Sequence, residues 1–514
     1  MIYMFIIAWL GYLGYKHTKN ASDYLLGGRQ INTFIMAISY GATFISTSAI
    51  VGFGGVAATF GMGIQWLCLL NMLMGVIIAF IFFGRRTRRL GEKYNANTFP
   101  QLIGSHYNSR AIKIFIATVI FIGMPLYTAV VMKGGAVFIE KMFNIDYNVA
   151  LLVFTIVVAA YVITGGIRGV LYTDAFQAII MFVFMLLLLI IFYNKIGMNF
   201  SEANRALADI AHLVPERFKE IGHQGWTRMP VTGSQQWYTL VTSLILGVGI
   251  GCLAQPQLAV RFMMVKSSKQ INRGIFIGCL FIAVTVGTIY HVGALSNLFF
   301  LKTEGAVASE VVPDLDKIIP LLINNATPQW FGVFFMLCII SASMSTLSAL
   351  FHTMGSAFGS DIFPKFGRGK DQHSTIGVRL GILVSIIVSY TICYVLSAGV
   401  IAKGTALFMG ICAATFLPSY FCSMYWKKVT RTGALTSLWV GAIVSLFTML
   451  FLHKAEAVPI GLCRMLTGKD VLIDVFPWFA IDPIVFALPL SSLAIIIVSL
   501  LTQPKQLTVI NQKI

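Results

Sequence analysis

Apolar runs separated by short polar connections repeat from one end of the chain to the other. Windows of about 19 or more residues without obvious charge are each long enough to cross about 30 Å of hydrocarbon as a helix. The pattern predicts about thirteen spanning helices, over residues 1–16, 31–58, 61–83, 111–141, 147–164, 170–195, 235–260, 274–298, 329–359, 376–398, 402–425, 433–452 and 482–502. The first lacks a basic n-region and a small-residue cleavage site, so it reads as a retained helix and not as a signal peptide. Two connections, 196–234 and 302–328, exceed ordinary loop length. "SEANRALADIAHLVPERF" in the first has the spacing of one amphipathic helix resting on the membrane domain, and "DLDKIIPLLI" in the second predicts a short helix, a candidate gating element. No soluble catalytic domain is visible in the pattern.

Composition agrees with an all-α polytopic membrane protein: 514 residues, 57% hydrophobic and only 11% charged. The net charge of +18 raises the question of a nucleic-acid partner. The basic residues instead follow the positive-inside rule, with no aromatic-basic surface module beside them. With the N-terminus outside, the inner loops collect Lys16, Lys19, Arg29, Arg85, Arg86, Arg88, Arg89, Lys93, Arg261, Lys266, Lys269, Arg273, Lys427, Lys428 and Arg431. Roughly two-thirds of all Lys and Arg then lie on one side. This orientation places the C-terminus in the cytoplasm and the chain in the cell (inner) membrane. The eight cysteines are scattered, without a CxxC pair or metal spacing, and read as small packing residues.

The stretch "ATFISTSA", residues 42–49, puts hydroxyls and β-branched residues inside an apolar span, with Gly41 before it and Gly52, Gly54 and Gly55 after it. This predicts a helix broken at membrane depth, where freed carbonyl oxygens must face protein, water or an ion. "GVGIGCLAQPQ", residues 247–257, marks a second interrupted helix five spans later. The pair predicts two inverted repeats of five helices, 31–195 and 235–425. A third polar cluster is "SASMSTLSAL", in which Ser345 and Thr346 lie about 100° apart on a helix and can reach one small site. Hydroxyls and carbonyls are hard oxygen donors suited to sodium. The alternative is that small polar residues let helices pack closely and bond across an interface.

These segments resemble the sodium/solute symporter family, which includes sodium/proline, sodium/pantothenate and sodium/sugar symporters. "KNASDYLLGGRQI" is similar to the family's first inner loop, "YVITGGIRGVLYTDAFQA" to its Gly-Gly motif and following Thr-Asp, and "AQPQLAVRFM" to its Gln-Pro and Arg-Phe-Met segment. "SMYWKKVTRTGALTSLWVGAI" fits a later signature, whereas Ile167 and Gly169 depart from the usual Gly-Gly pattern. The resemblance implies a LeuT-type 5+5 inverted repeat working by alternating access. Residues 1–30 would form a peripheral helix and inner loop, 196–234 an extracellular connector, and 426–514 the peripheral C-terminal helices and tail. It implies a sodium site at the Ala42, Ile45 and Ala342 carbonyls and the Ser345 and Thr346 hydroxyls, with Ser46 as a neighbour. Asp174 matches an acid on the ion's inner exit route, although a carboxylate at a helix end can also be an ordinary N-terminal stabiliser.

Phe44 stands where relatives carry Asp or Asn, and Val248 and Cys252 where the proline symporter carries aromatic residues, which points away from proline and sugar. Gln255 is expected as a substrate-facing donor at the second break, and Tyr127 matches a tyrosine of the fourth helix. Lys133, in "YTAVVMKGGAVF", is a cation deep in an apolar span. It could meet a carboxylate substrate, reach the interface, or pair with Glu140. The expected function is therefore sodium-coupled uptake of a small carboxylate-bearing solute, monocarboxylate or pantothenate-like. A proline-like amino-acid symporter, a sugar symporter and a proton-coupled symporter of the same fold are the alternatives. His291 reads as a packed interface residue. Sodium is the transported ion and no cofactor is expected; the partners are the solute, sodium and the lipid bilayer, without nucleic acid or an obligate protein. A channel would show pore rings or a filter loop, a sensor an appended signalling domain, and a membrane enzyme clustered mid-span His and carboxylates.

Overall fold

The computed structural model describes residues 2–16, 21–363 and 375–503, and Met1, Lys19 and the stretch 504–514 lie outside them. Ten helices among the described residues are long and apolar enough to cross a membrane, joined by the shorter apolar helices Phe5–Gly14, Thr33–Phe44 and Tyr147–Ala160. Polarity is distributed as hydrocarbon solvent demands: Ile122, Phe276, Ile190 and Ile497 lie exposed on the outside, whereas Ser345, Thr346, Asp174 and Arg261 are buried.

The first interrupted helix runs from Thr33, with Asn32 accepting the Phe34 amide as its N-cap, to Phe44. Ile45 is extended (φ −91°, ψ 102°), and helical backbone resumes with Ser48–Gly52 and Phe53–Phe60. The break therefore falls at Ile45 and Ser46, just past the Ala42–Ile45 carbonyls. Ser46 restarts the helix by accepting the Ser48 amide on its own side chain, 3.1 Å.

The second break is narrower than its glycines suggest. Residues 247–254 remain helical, and only Gln255 is extended (φ −72°, ψ 117°), because Pro256 opens the next helix at its first position. Here glycine serves close packing: a Cβ on Gly251 would lie 2.6 Å from the Met409 side chain and 2.7 Å from its backbone. Two hydrogen bonds, Ile31 N to Met264 O and Lys266 N to Ile31 O, both 3.1 Å, tie the start of the first interrupted helix to the end of the second.

Spans 147–164 and 170–195 are not separated by a loop; helical backbone covers Tyr147–Ile196. A straight helix of 50 residues would be about 75 Å long, more than twice the hydrocarbon thickness. Its contacts show that the chain folds back. Phe154 lies against Gly135, and Tyr193 bonds His291 at 2.5 Å on the side carrying the long connector. Between them, Arg168 donates to the Gly27 carbonyl on the opposite side, which also carries Arg85, Arg86 and Arg88 and is called the basic side below.

Residues 196–234 form several short elements instead of one amphipathic helix: Phe200–Asp209 with an Asn199–Glu202 capping box, a tight turn Ile210–Leu213, and Glu216–Lys219. Beyond them the connector seals a helix end. Trp226 Nε1 donates to the Ala58 carbonyl (2.7 Å) and the His223 ring bonds that of Thr59 (2.6 Å), satisfying the C-terminus of the first interrupted helix. The predicted helix in 302–328 is present as Ile318–Ala326. Gly61 turns the chain at positive φ (+61°), and a Cβ there would lie 1.9 Å from the Trp226 carbonyl oxygen. Gly61→Ala should therefore destabilise the protein by about 2–3 kcal/mol from strain and displacement together, read as a lowered unfolding temperature in detergent; an unchanged midpoint would mean the connector is not packed here.

Candidate ion and solute site

Ending a helix at Phe44 inside the bilayer frees the carbonyls of its last turn. The Gly41 carbonyl takes the Ile45 amide at 2.9 Å. Ser345 Oγ donates to the Ala42 carbonyl at 2.9 Å and lies 3.3 Å from that of Ala342, while Thr346 Oγ1 donates to the Thr43 carbonyl at 3.0 Å. Adjacent hydroxyls on the helix Gln329–Ser356 thus satisfy adjacent carbonyls of the broken helix. Ala42, Ala342, Ser345 and Thr346 converge here, with Ile45 at the break and all of them buried. Thr43, absent from the expected set, completes the link. The donors are neutral, hard oxygens. They fit sodium, which can take the lone pairs that now accept protons once the hydroxyls turn; without a carboxylate among them they offer little to a divalent ion.

Immediately beside the cluster is a small cavity lined by Phe44, Ile45, Ser46, Ala49, Phe53, Asn71, Tyr127, Val248, Tyr290, Thr405 and Met409. Tyr127 is stacked on Phe408 (centroids 5.2 Å apart, rings at 12°). The buried amide oxygen of Asn71 has no partner among the described residues. Residue reasoning missed Asn71, Tyr290 and Thr405; the readable signal was Asn71, the single amide within the apolar run "QWLCLLNMLMGV" beyond Gln65.

Cys252, Gln255 and Lys133 do not line this cavity. Cys252 Sγ donates to the Gly249 carbonyl (2.8 Å), and Gln255 donates to that of Gly251 (3.3 Å) while accepting from Gln257 (3.1 Å). Lys133 Nζ donates to the Leu396 and Ser397 carbonyls, just past the C-terminus of Thr375–Val395. An ammonium there satisfies orphan carbonyls and complements the helix dipole. At the other end of the same loop Asp314 accepts the Gly399 amide at 3.0 Å, and burial pushes the carboxyl of nearby Asp316 up to about 7. Glu140 pairs with Lys141 and Lys317, 3.4 Å each, and not with Lys133. His291 is packed between Tyr193 and the stacked Phe200 ring, as expected of an interface residue.

Asp174 sits one layer further toward the basic side. Its Oδ2 accepts from Arg261 at 2.8 Å and Ser39 at 2.9 Å, with Thr43 Oγ1 at 3.4 Å. Arg261 is not in a loop, where its charge seemed to place it, but inside the half-helix Pro256–Met264 and 1% exposed. Its position five residues past Pro256 was the available signal.

The family model for the sodium:solute symporter family matches residues 24–441 of this chain. The high-affinity proline transporter PutP of Bacillus subtilis (strain 168) is 26% identical over 509 residues, covering 98% of this chain and 97% of the relative. The sodium/proline symporter of Haemophilus influenzae is 25% identical over 522 residues (99% and 95%), and that of Staphylococcus aureus (strain JH9) 28% over 459 residues (86% and 83%). Among solved structures, a sodium-coupled sialic acid symporter in a substrate-bound outward-open state superposes with TM-score 0.74 at 17% identity, covering 98% of this chain and 97% of that one. Mhp1, a nucleobase-cation-symport-1 family transporter, gives TM-score 0.54 at 12% identity (95% and 97%). The fold is thus of the LeuT type, as expected from the sequence.

Replacing Lys133 by Met should leave solute affinity within about twofold while lowering stability by about 1–3 kcal/mol, because two buried carbonyls lose their donor. Binding and thermal unfolding on the same sample separate these effects. A tenfold loss of affinity at unchanged stability would restore Lys133 to the solute site.

Proposed function

Since the chain belongs to the sodium:solute symporter family, we propose that it takes up a proline-like zwitterionic amino acid, driven by sodium and by alternating access between two inverted repeats, 31–195 and 235–425. The observation that carries this reading is the cavity itself. It lies against the oxygen cluster, shares Ile45 with it, and has no charged side chain in its lining. A solute with balanced charges suits such walls. Its carboxylate would face the cation and its ammonium the Asn71 amide oxygen. Phe44, Phe53, Val248 and Met409 would cover an apolar ring. The relatives' names, all proline transporters, point the same way. A monocarboxylate or pantothenate-like anion had its anchor in Lys133, which is engaged elsewhere.

Sodium is assigned to Ala42, Ile45, Ala342, Ser345 and Thr346, one ion per cycle. An ion at Ile45 fixes the extended residue between Phe44 and Ser46 that shapes the cavity, so each ligand strengthens the other by the same factor. Each charge moving inward gains about 2.3 kcal/mol per 100 mV. The basic side is assigned to the cytoplasm and the N-terminus to the outside of a cell membrane.

Proteoliposomes given an imposed sodium or proton gradient, with labelled proline, lactate, pantothenate or glucose, test this directly. Sodium-driven accumulation of proline is expected. Ser345→Ala with Thr346→Ala should raise the half-saturating sodium concentration at least about tenfold, because hydrogen-bond partners of a charge contribute about 1.5–3 kcal/mol each. Uptake that follows protons, or ignores the double substitution, would sink the sodium assignment. Asn71→Ala should raise the KM for proline about tenfold, with the sodium dependence measured in parallel at saturating solute; an unchanged KM would remove Asn71 from the solute site.

A further inference from the structure

On the basic side of the Asp174–Arg261 pair lies a second cavity, lined by Asn97, Gln257, Arg261, Ala349, His352 and Ser356 among others. Ala349 is one helical turn beyond Ser345, so this chamber continues the line of the oxygen cluster toward the cytoplasmic side assigned above. Arg261 separates the two. Toward the cluster it donates to Asp174, Ser39 and Thr43, and Thr43 in turn reaches the Ser345 carbonyl (3.5 Å) and accepts from Thr346. Toward the chamber its Nε has no partner among the described residues. The same is true of the Gln257 amide oxygen, the Asn97 amide oxygen and His352 Nε2, all on residues that line the chamber.

Asp174 Oδ1 is likewise without a partner among the described residues, but the chamber gathers three such atoms beside one guanidinium. A buried ion pair contributes little net stability, since desolvation offsets the attraction, and leaving buried polar atoms unpaired costs their full desolvation. A pair kept only for stability would not face a chamber of unsatisfied acceptors. Those acceptors are what a guanidinium needs if it is to leave a carboxylate without becoming unpaired. A sodium ion released from Ser345 and Thr346 toward Asp174 would repel the guanidinium and take over the carboxylate.

We infer that Arg261 is the bolt of the exit on the basic side: paired with Asp174, Ser39 and Thr43 it closes the path below the sodium cluster, and it opens by swinging to the Gln257 and Asn97 oxygens as sodium takes its place at Asp174. This rests on the symporter reading for its purpose, but the closing contact can be tested by itself. Arg261 is a positioning residue, acting through the path and not on the solute.

The test uses a cysteine at Ala49, in the solute cavity, and one at Ala349, in the chamber, each modified in vesicles by a membrane-impermeant thiol reagent applied from the basic side without sodium. Ala349→Cys should react in every background. Ala49→Cys should react slowly with Arg261 present and at least about tenfold faster in Arg261→Gln, which shifts the closed population by that factor; Arg261→Lys, which keeps the charge, should restore most of the protection. Gln257→Leu with Asn97→Leu should slow sodium-driven uptake by lowering kcat while leaving KM and the protection of Ala49→Cys unchanged. Protection of Ala49→Cys that persists in Arg261→Gln, with Ala349→Cys still reactive, overturns the bolt. Should Arg261→Gln fail to reach the membrane, an unchanged kcat in Gln257→Leu with Asn97→Leu overturns it. If wild type moves no solute with sodium, the symporter reading fails while a tenfold labelling difference still establishes the closing contact.

Discussion

A carbonyl oxygen freed inside the hydrocarbon has no water to turn to, and each one left alone costs several kcal/mol. The break at Ile45 creates such oxygens at Ala42 and Thr43, and the helix Gln329–Ser356 answers them with Ser345 and Thr346. Everything nearby depends on this exchange. The two hydroxyls fix the register of one helix against another, leave Ile45 extended, and put the edge of the break against the solute cavity. A cation able to replace those hydrogen bonds holds the same elements together, so binding an ion and ordering a cavity become one event.

The same accounting of orphan groups explains the rest of the polar interior. Trp226 and His223 close the far end of the first interrupted helix. Lys133 and Asp314 hold the loop 396–400, one on the Leu396 and Ser397 carbonyls and one on the Gly399 amide, as the opposite ends of helices require. Of the buried polar atoms without a partner among the described residues, those of Asn71 above the cluster and of Arg261, Gln257 and Asn97 below it belong to residues that line cavities. To these positions the proposed solute site and exit are assigned.

Geometry also changes the weight of single residues. Phe44, Val248 and Cys252 seemed to point away from proline, but only Phe44 and Val248 line the cavity, and both supply an apolar wall. Lys133, the residue that suggested an anion, satisfies a helix end. A charge deep in a membrane span does mark something necessary, yet what it marks can be structural.

The sequence alone determined the spans and the first break, because hydropathy and the loss of helical pairing at "ATFISTSA" are local properties that the chain carries with it. It located Ser345 and Thr346 for the same reason: adjacent hydroxyls on a helix share a site wherever that helix packs. It also held the motifs by which the family is recognised. Only the tertiary structure decided which distant groups meet. Arg261 read as a loop charge until the half-helix Pro256–Met264 carried it to Asp174, 87 positions earlier. Asn71 became a lining residue, and Gln255 and Lys133 ceased to be, because a side chain's partners depend on helix crossings that no local pattern encodes. Periodicity tells which residues a helix buries; the packing of neighbouring helices decides what they are buried against.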